Sequence, residues 1–264
     1  MLLVDARSLQ HRERMMNEST SQPVHLAGGM PASAHDFILR RRERVVRAAV
    51  PLEGRALLDF GCGNGEQTRS FVRDFPLVVG ADVGLRFLRV FRDRMRSEEV
   101  PGVVAALRYD GRRLPLANHS VDRVVSVEVL EHVEDESAAL SEIARVLAPG
   151  GWLAMSVPNR WWIFETHGAK LPLLPWNRVP FFSWLPKSLH DRWARARIYR
   201  RRDIVSLLEE HGLEVQESGY ITAPMDVVRW APLRDLLRAT VFGRDRTSIP
   251  FLATAVFVTA RKPD

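Results

Sequence analysis

Three glycines stand at alternate positions, Gly61, Gly63 and Gly65, in the stretch LLDFGCGNG, and Asp59 comes just before them. A glycine-rich turn leaving a strand exposes backbone N–H groups and lets a ligand approach the main chain closely. Asp82 lies 17 residues beyond Gly65, at the tip of the next apolar run, where a carboxylate can accept both hydroxyls of a ribose. Farther on, Glu128, Glu131 and His132 have the spacing ExxEH, which in a helical turn can aim two carboxylates and an imidazole at one point. These residues point to an adenosine-containing ligand with an acid–base group nearby.

The spacing narrows the ligand. A nicotinamide dinucleotide calls for GxGxxG, whereas this chain has GxGxG. Asp59 would repel a pyrophosphate but suits an ammonium group. A cofactor with an amino-acid tail, an adenosine and no phosphate is S-adenosylmethionine. Methyl transfer is a displacement at carbon, so the protein must align the nucleophile and exclude water. An oxygen nucleophile also gains about 10²- to 10⁴-fold from a base. His132, four residues past Glu128, is the candidate base or substrate orienter.

These residues need strand ends to hold them, and the chain supplies the strands. Apolar runs at 56–60, 77–82, 102–110, 122–129 and 151–159 read as strands, separated by helical segments at 65–75, 85–95 and 136–147. A helix with Phe37, Ile38, Val45, Val46 and Val50 on one face precedes the first strand. Strands at 213–221 and 249–262 follow, with a helix between them in MDVVRWAPLRDLLRATV and an amphipathic helix before them over 199–212. Helices between strands force parallel pairing, so the expected fold is α/β, a Rossmann-like doubly wound sheet of seven strands with the last one antiparallel. Ligands of such sheets sit beyond the carboxyl ends of the strands, where the singled-out residues fall.

Four ordered blocks, LLDFGCGNG, GADVG, YDGRRLPLANHSVDRVVSVEVLEHVED and IARVLAPGGWLAMSVPN, together resemble class I S-adenosylmethionine-dependent methyltransferases over about residues 55–160. The resemblance implies that Asp59, Gly61, Cys62, Gly63 and Gly65 surround the methionine end of the cofactor. It also implies that Asp82 binds the ribose, Val83 packs on adenine, Asp110 and Gly111 reach the adenine edge, and Glu128 and Val129 lie near the sulfonium. Asp82 and Asp110 could each cap a turn instead, but their places at successive strand ends favour a ligand role. The ExxEH run is similar to the metal-binding motif of small-RNA 2′-O-methyltransferases and to ExLEH in quinone-pathway O-methyltransferases. The LEH run is also common in small-molecule methyltransferases that need no metal, so no metal is assigned.

After the fifth strand the chain turns aromatic: five of the seven tryptophans lie between 158 and 193. In the fold resembled, an insertion here, about 160–202, caps the active site. Glu165 and His167 are its polar groups most easily aimed inward, and His167 joins His132 and Glu128 as a catalytic candidate. Its aromatics and arginines either pack as a lid or touch a membrane surface. Residues 1–32 read as a flexible leader, and 33–264 as a single domain.

Composition sets outer limits. Cys62 is the only cysteine, which excludes an internal disulfide and a multi-cysteine metal site, and it reads as a packing residue rather than a nucleophile. No run approaches the ~18–20 apolar residues of a membrane span, and charge comes too early for a secretory signal, so the cytoplasm is the expected compartment. The net charge of +6 rests almost wholly on arginine, with only three lysines, which fits base composition as well as an anion-binding face. The arginines are scattered and form no nucleic-acid module. The expected partner is therefore a small or lipid-linked acceptor, quinone-, polyketide- or glycan-like, methylated on oxygen. The rival readings are an NAD(P)-dependent oxidoreductase and a non-catalytic methyltransferase-like binding protein.

Overall fold

Leu57 and Leu58 are both fully buried although they are neighbours, because the strand that carries them has a helical layer on each face. The structure, a computed structural model, describes residues 37–98, 100–164, 167 and 180–264. Its elements are α1 (Phe37–Ala49), β1 (Ala56–Phe60), β2 (Leu77–Asp82), α2 (Leu85–Ser97), β3 (Val103–Arg108), β4 (Val121–Val127) and α3 (Glu136–Val146). They continue with β5 (Leu147–Pro158), α4 (Lys187–Trp193), α5 (Arg201–Glu210), β6 (Glu214–Thr222), α6 (Ala231–Ala239), β7 (Arg246–Thr247) and β8 (Ala253–Arg261). The expected leader lies outside the described residues.

One sheet runs β3-β2-β1-β4-β5-β8-β6-β7. The β1–β5 pairings are parallel, and β8 inserts antiparallel between β5 and β6. The alternating register assigns the faces. Leu58, Phe60, Val124 and Val256 point to the layer of α3 and α5, with Leu140, Ile143, Ile204 and Leu208. Leu57, Val125, Ala255 and Phe257 point to α1 and α2, with Val45, Val46, Phe91 and Met95. Each buried Val, Leu, Ile, Phe or Met side chain among these contributes about 1.5–3 kcal/mol.

The structure departs from the sequence reading in three places. The sheet has eight strands rather than seven, because Arg246–Thr247 pairs with Tyr220 and Ile221 at the edge; two residues are too short to show alternation. The segment 65–75 contains only a single short 3₁₀ turn, Thr68–Ser70, rather than a helix. Its hydrogen bonds run mostly from residue i+3 to i, as in Phe71 N–H to Thr68 O and Asp74 N–H to Phe71 O, and Pro76 disfavours a helical Phe75. Phe71, Val72 and Phe75 are still buried, so the apolar stripe is kept. His132 ends a 3₁₀ turn, Leu130–His132, rather than starting a helix; α3 begins only after Asp135, whose side chain accepts from the Ala138 N–H.

One arginine is part of the core. Arg41 on α1 is fully buried and donates to the carbonyls of Thr222, Ala223 and Phe242 and to Asp245. It fastens α1 to the end of β6 and the chain before β7.

Candidate active site

The glycine turn follows β1 directly, and Gly61, Gly63 and Gly65 all have positive φ, at 79°, 52° and 83°. Two of the three also make room for protein atoms. A Cβ on Gly61 would meet Val129, and one on Gly65 would meet Phe91 and Met95. Gly61 and Cys62 donate their N–H groups to the Ala81 carbonyl, tying the turn to β2. Cys62 is buried and burial pushes its thiol up, so it packs rather than reacts.

Asp59 is buried beneath this turn and accepts a hydrogen bond from the Thr68 hydroxyl. Burial pushes its carboxyl up to about 6, against the opposing pull of Thr68, and the nearby Asp82 adds to the rise. A cation placed here would draw it back to the ionised form. Asp82 ends β2 with one oxygen accepting the Gly63 N–H at 2.9 Å and the other the Gly84 N–H at 2.7 Å. The two bonds aim the carboxylate while leaving each oxygen a further lone pair, the arrangement that a ribose diol requires. Burial raises this carboxyl too, although the amides of Gly84 and Gly63 oppose it.

Val83 is half exposed, and a Cβ on Gly111 would stand 3.7 Å from a Val83 methyl. Asp110 is exposed, and one of its oxygens accepts the N–H groups of Arg112 and Arg113, which holds its carboxyl below the usual range. It caps a turn, as the sequence allowed.

At the end of β4 the second half of the site comes together. Glu128 has φ of 54° and accepts a hydrogen bond from the Ser156 hydroxyl of β5. Arg42 of α1 lies 3.4 Å from its Oε2, and His167 Nε2 lies 3.9 Å from the same oxygen. His167 also stands 3.4 Å from Glu131, and His132 stands 3.8 Å from it. The two imidazoles meet edge to face with centroids 4.9 Å apart. Glu131 is fully buried, and its carbonyl accepts the Arg197 N–H, so the chain entering α5 supports this turn.

The structure therefore joins Glu128, His132 and His167, the three catalytic candidates, in one cluster, and adds two residues that no motif singles out. Arg42 is one of five arginines between positions 40 and 47 and nothing in that run marks it; Ser156 is an ordinary strand serine. Glu165 lies outside the described residues. One donor atom from each of Glu131, His132 and His167 lies within 4.8 Å of the others, a nitrogen–oxygen set that a divalent ion of borderline character accepts.

The sheet order, the glycine turn and the strand-end acids define a Rossmann-like methyltransferase fold. A family described as a methyltransferase domain matches residues 58–155. A ubiquinone biosynthesis O-methyltransferase of Alkalilimnicola ehrlichii is 33% identical over 167 residues, covering 61% of this chain and 67% of the relative. One from Dinoroseobacter shibae is 30% identical over 77% of this chain and 79% of its own length. A solved S-adenosylmethionine-dependent methyltransferase from Mesorhizobium loti shares the fold, with a TM-score of 0.58, 19% identity, and coverage of 84% of this chain and 98% of the other. The chain belongs to the class I S-adenosylmethionine-dependent methyltransferases, and its cofactor is S-adenosylmethionine. Among the described residues no helix is long and apolar enough to cross a membrane.

Proposed function

We propose that the chain methylates an oxygen of a small or lipid-linked acceptor, with His132 taking the acceptor's proton and His167 orienting the acceptor or sharing the proton. The observation that carries this is the meeting of both imidazoles with Glu131 at the end of β4. The names of the two ubiquinone biosynthesis O-methyltransferases support oxygen as the target. In this reading Asp59 faces the ammonium of the cofactor, Asp82 holds the ribose, and Val83, Asp110 and Gly111 border the adenine. S-adenosylmethionine, when bound, supplies a methyl carbon whose bond to sulfur breaks as the new oxygen–carbon bond forms, with the bonding pair going to sulfur. His132 accepts the hydroxyl proton during that step, and Glu131 beside it stabilises the imidazolium. Glu128, held by Arg42 and Ser156, borders the transferring methyl.

The test is turnover with a catechol or hydroquinone acceptor, followed by calorimetric binding of S-adenosylhomocysteine. His132→Ala is expected to slow turnover by about 10²-fold or more while leaving that affinity intact. Unchanged turnover would remove His132 from the mechanism, and binding of NADH in place of S-adenosylhomocysteine would overturn the cofactor assignment.

A second reading of the same cluster is favoured by the convergence of Glu131, His132 and His167: together they would hold a divalent cation. Such an ion would lower the pKa of an acceptor hydroxyl bound to it. Elemental analysis of the purified chain, with turnover measured before and after chelation, distinguishes the two. Full activity in a metal-free protein would rule the cation out.

A further inference from the structure

Toward the opposite edge of the sheet from the glycine turn, β6 and the chain around β7 wall a groove of about 570 Å³. Arg201, Arg244 and Arg246 line it. Arg246 pairs with Glu217 at 2.5 Å, and the Arg201 guanidinium lies 5.8 Å from the centroid of the Tyr220 ring. Among the described residues no carboxylate pairs with Arg201 or Arg244. Behind the groove Arg41 and Arg44 share a single carboxylate, Asp245, so the surroundings are net positive.

A second, independent observation points to a ligand. Thr222 lines the same groove, is 1% exposed, and its Oγ1 makes no hydrogen bond in the structure. Its carbonyl is already taken by Arg41, so the hydroxyl is the polar group left for an occupant. A buried hydroxyl without a partner is uncommon and costs free energy until one arrives. Val241 and Ile249, 58% and 53% exposed, form an apolar rim.

We propose that this groove binds a phosphate group, as the free ion or as the headgroup of an anionic lipid. Guanidinium forks match phosphate oxygens in geometry as well as charge, and the Thr222 hydroxyl donates one further bond. The apolar rim would meet the acyl portion of a lipid. The site is distinct from the methyl-transfer cluster, since none of Glu128, Glu131, His132 and His167 lines it. The two are linked through α1, where Arg41 holds Thr222 and the adjacent Arg42 holds Glu128.

The experiment uses the full chain. Inorganic phosphate is titrated by calorimetry, and sedimentation is measured with phosphatidylcholine vesicles with and without phosphatidylglycerol. Arg244→Gln is expected to weaken binding about tenfold, the effect of losing one charge-assisted contact. Thr222→Val, which keeps the shape, is expected to weaken it severalfold. Phosphate binding that shows this loss assigns the free ion, and loss seen only with phosphatidylglycerol vesicles assigns the lipid headgroup. Absence of both, or binding that Arg244→Gln leaves intact, overturns the proposal. S-adenosylhomocysteine affinity, measured on the same samples, is expected to be unchanged; its failure would count against the methyltransferase site and not against this groove.

Discussion

Gly61 and Val129 share one space: a β-carbon on Gly61 would stand 2.4 Å from a Val129 methyl. The first glycine of the turn is thus required by the chain leaving β4, as well as by its φ of 79°. Gly61→Ala is expected to cost about 2 kcal/mol or more, part from the clash and part from the left-handed backbone. Adding Val129→Ala should return the first part and leave the second. Urea denaturation of both single variants and the double variant measures the coupling; strictly additive losses would mean that the two residues do not compete.

Asp59 should make both stability and cofactor binding depend on pH. Its carboxyl stands at about 6 in the folded chain against an ordinary 3.8. Between those values the folded chain holds a proton that the unfolded chain releases, so stability falls as pH rises through the window. The cost is absent below about 3.8 and complete above about 6. Asp59→Asn should therefore stabilise the ligand-free protein by up to about 3 kcal/mol at pH 7, with the gain vanishing near pH 4. S-adenosylhomocysteine, whose ammonium favours the ionised acid, should bind more tightly to the unmodified protein as pH rises from 5 to 7. An affinity that is flat over that range would separate Asp59 from the ammonium.

Glu128 holds a left-handed backbone that glycine adopts more easily. Glu128→Gly should be more stable than Glu128→Ala by about 1 kcal/mol, since both lose the carboxylate and only one keeps the strain. Both should lose turnover if Glu128 borders the methyl group. Equal melting of the two variants would show that the turn relaxes when the side chain is removed.

Arg41→Lys should be costly despite the retained charge. The planar guanidinium serves three carbonyls and Asp245 at once, which a single ammonium cannot reproduce. A loss of about 3 kcal/mol or more in denaturation is expected, and a loss below 1 kcal/mol would mean that water replaces the fork.

All seven strands expected from the sequence are present, because apolar runs bounded by turn residues are local signals. The antiparallel return of β8 followed from its position after a helix. What stayed hidden is mostly non-local. Arg41 and Arg42 sit in a run of arginines in which nothing distinguishes a solvated side chain from a core staple; only the fold sets one beneath β6 and the other beside Glu128. His167 could be named as an inward-facing group, but not its meeting with His132, which depends on how the chain returns after β5. The segment 65–75 has the apolar spacing of a helix, and its failure to wind regularly reflects the glycine turn before it and Pro76 after it.

The place of β8 has a consequence for the order in which the chain can fold during synthesis. The β3-β2-β1-β4-β5 half, which carries the glycine turn and Asp82, has all its strands once Pro158 has been made. β6 is made far earlier than β8, yet its partner in the sheet interior is β8, so it must wait for the residues from Ala253 onward. A chain stopped before Ala253 is expected to protect β1–β5 from protease while β6 is cut; equal protection of β6 would contradict this order. The half that carries the glycine turn and Asp82 is thus complete in its strands before the half that carries the arginine groove has begun to close.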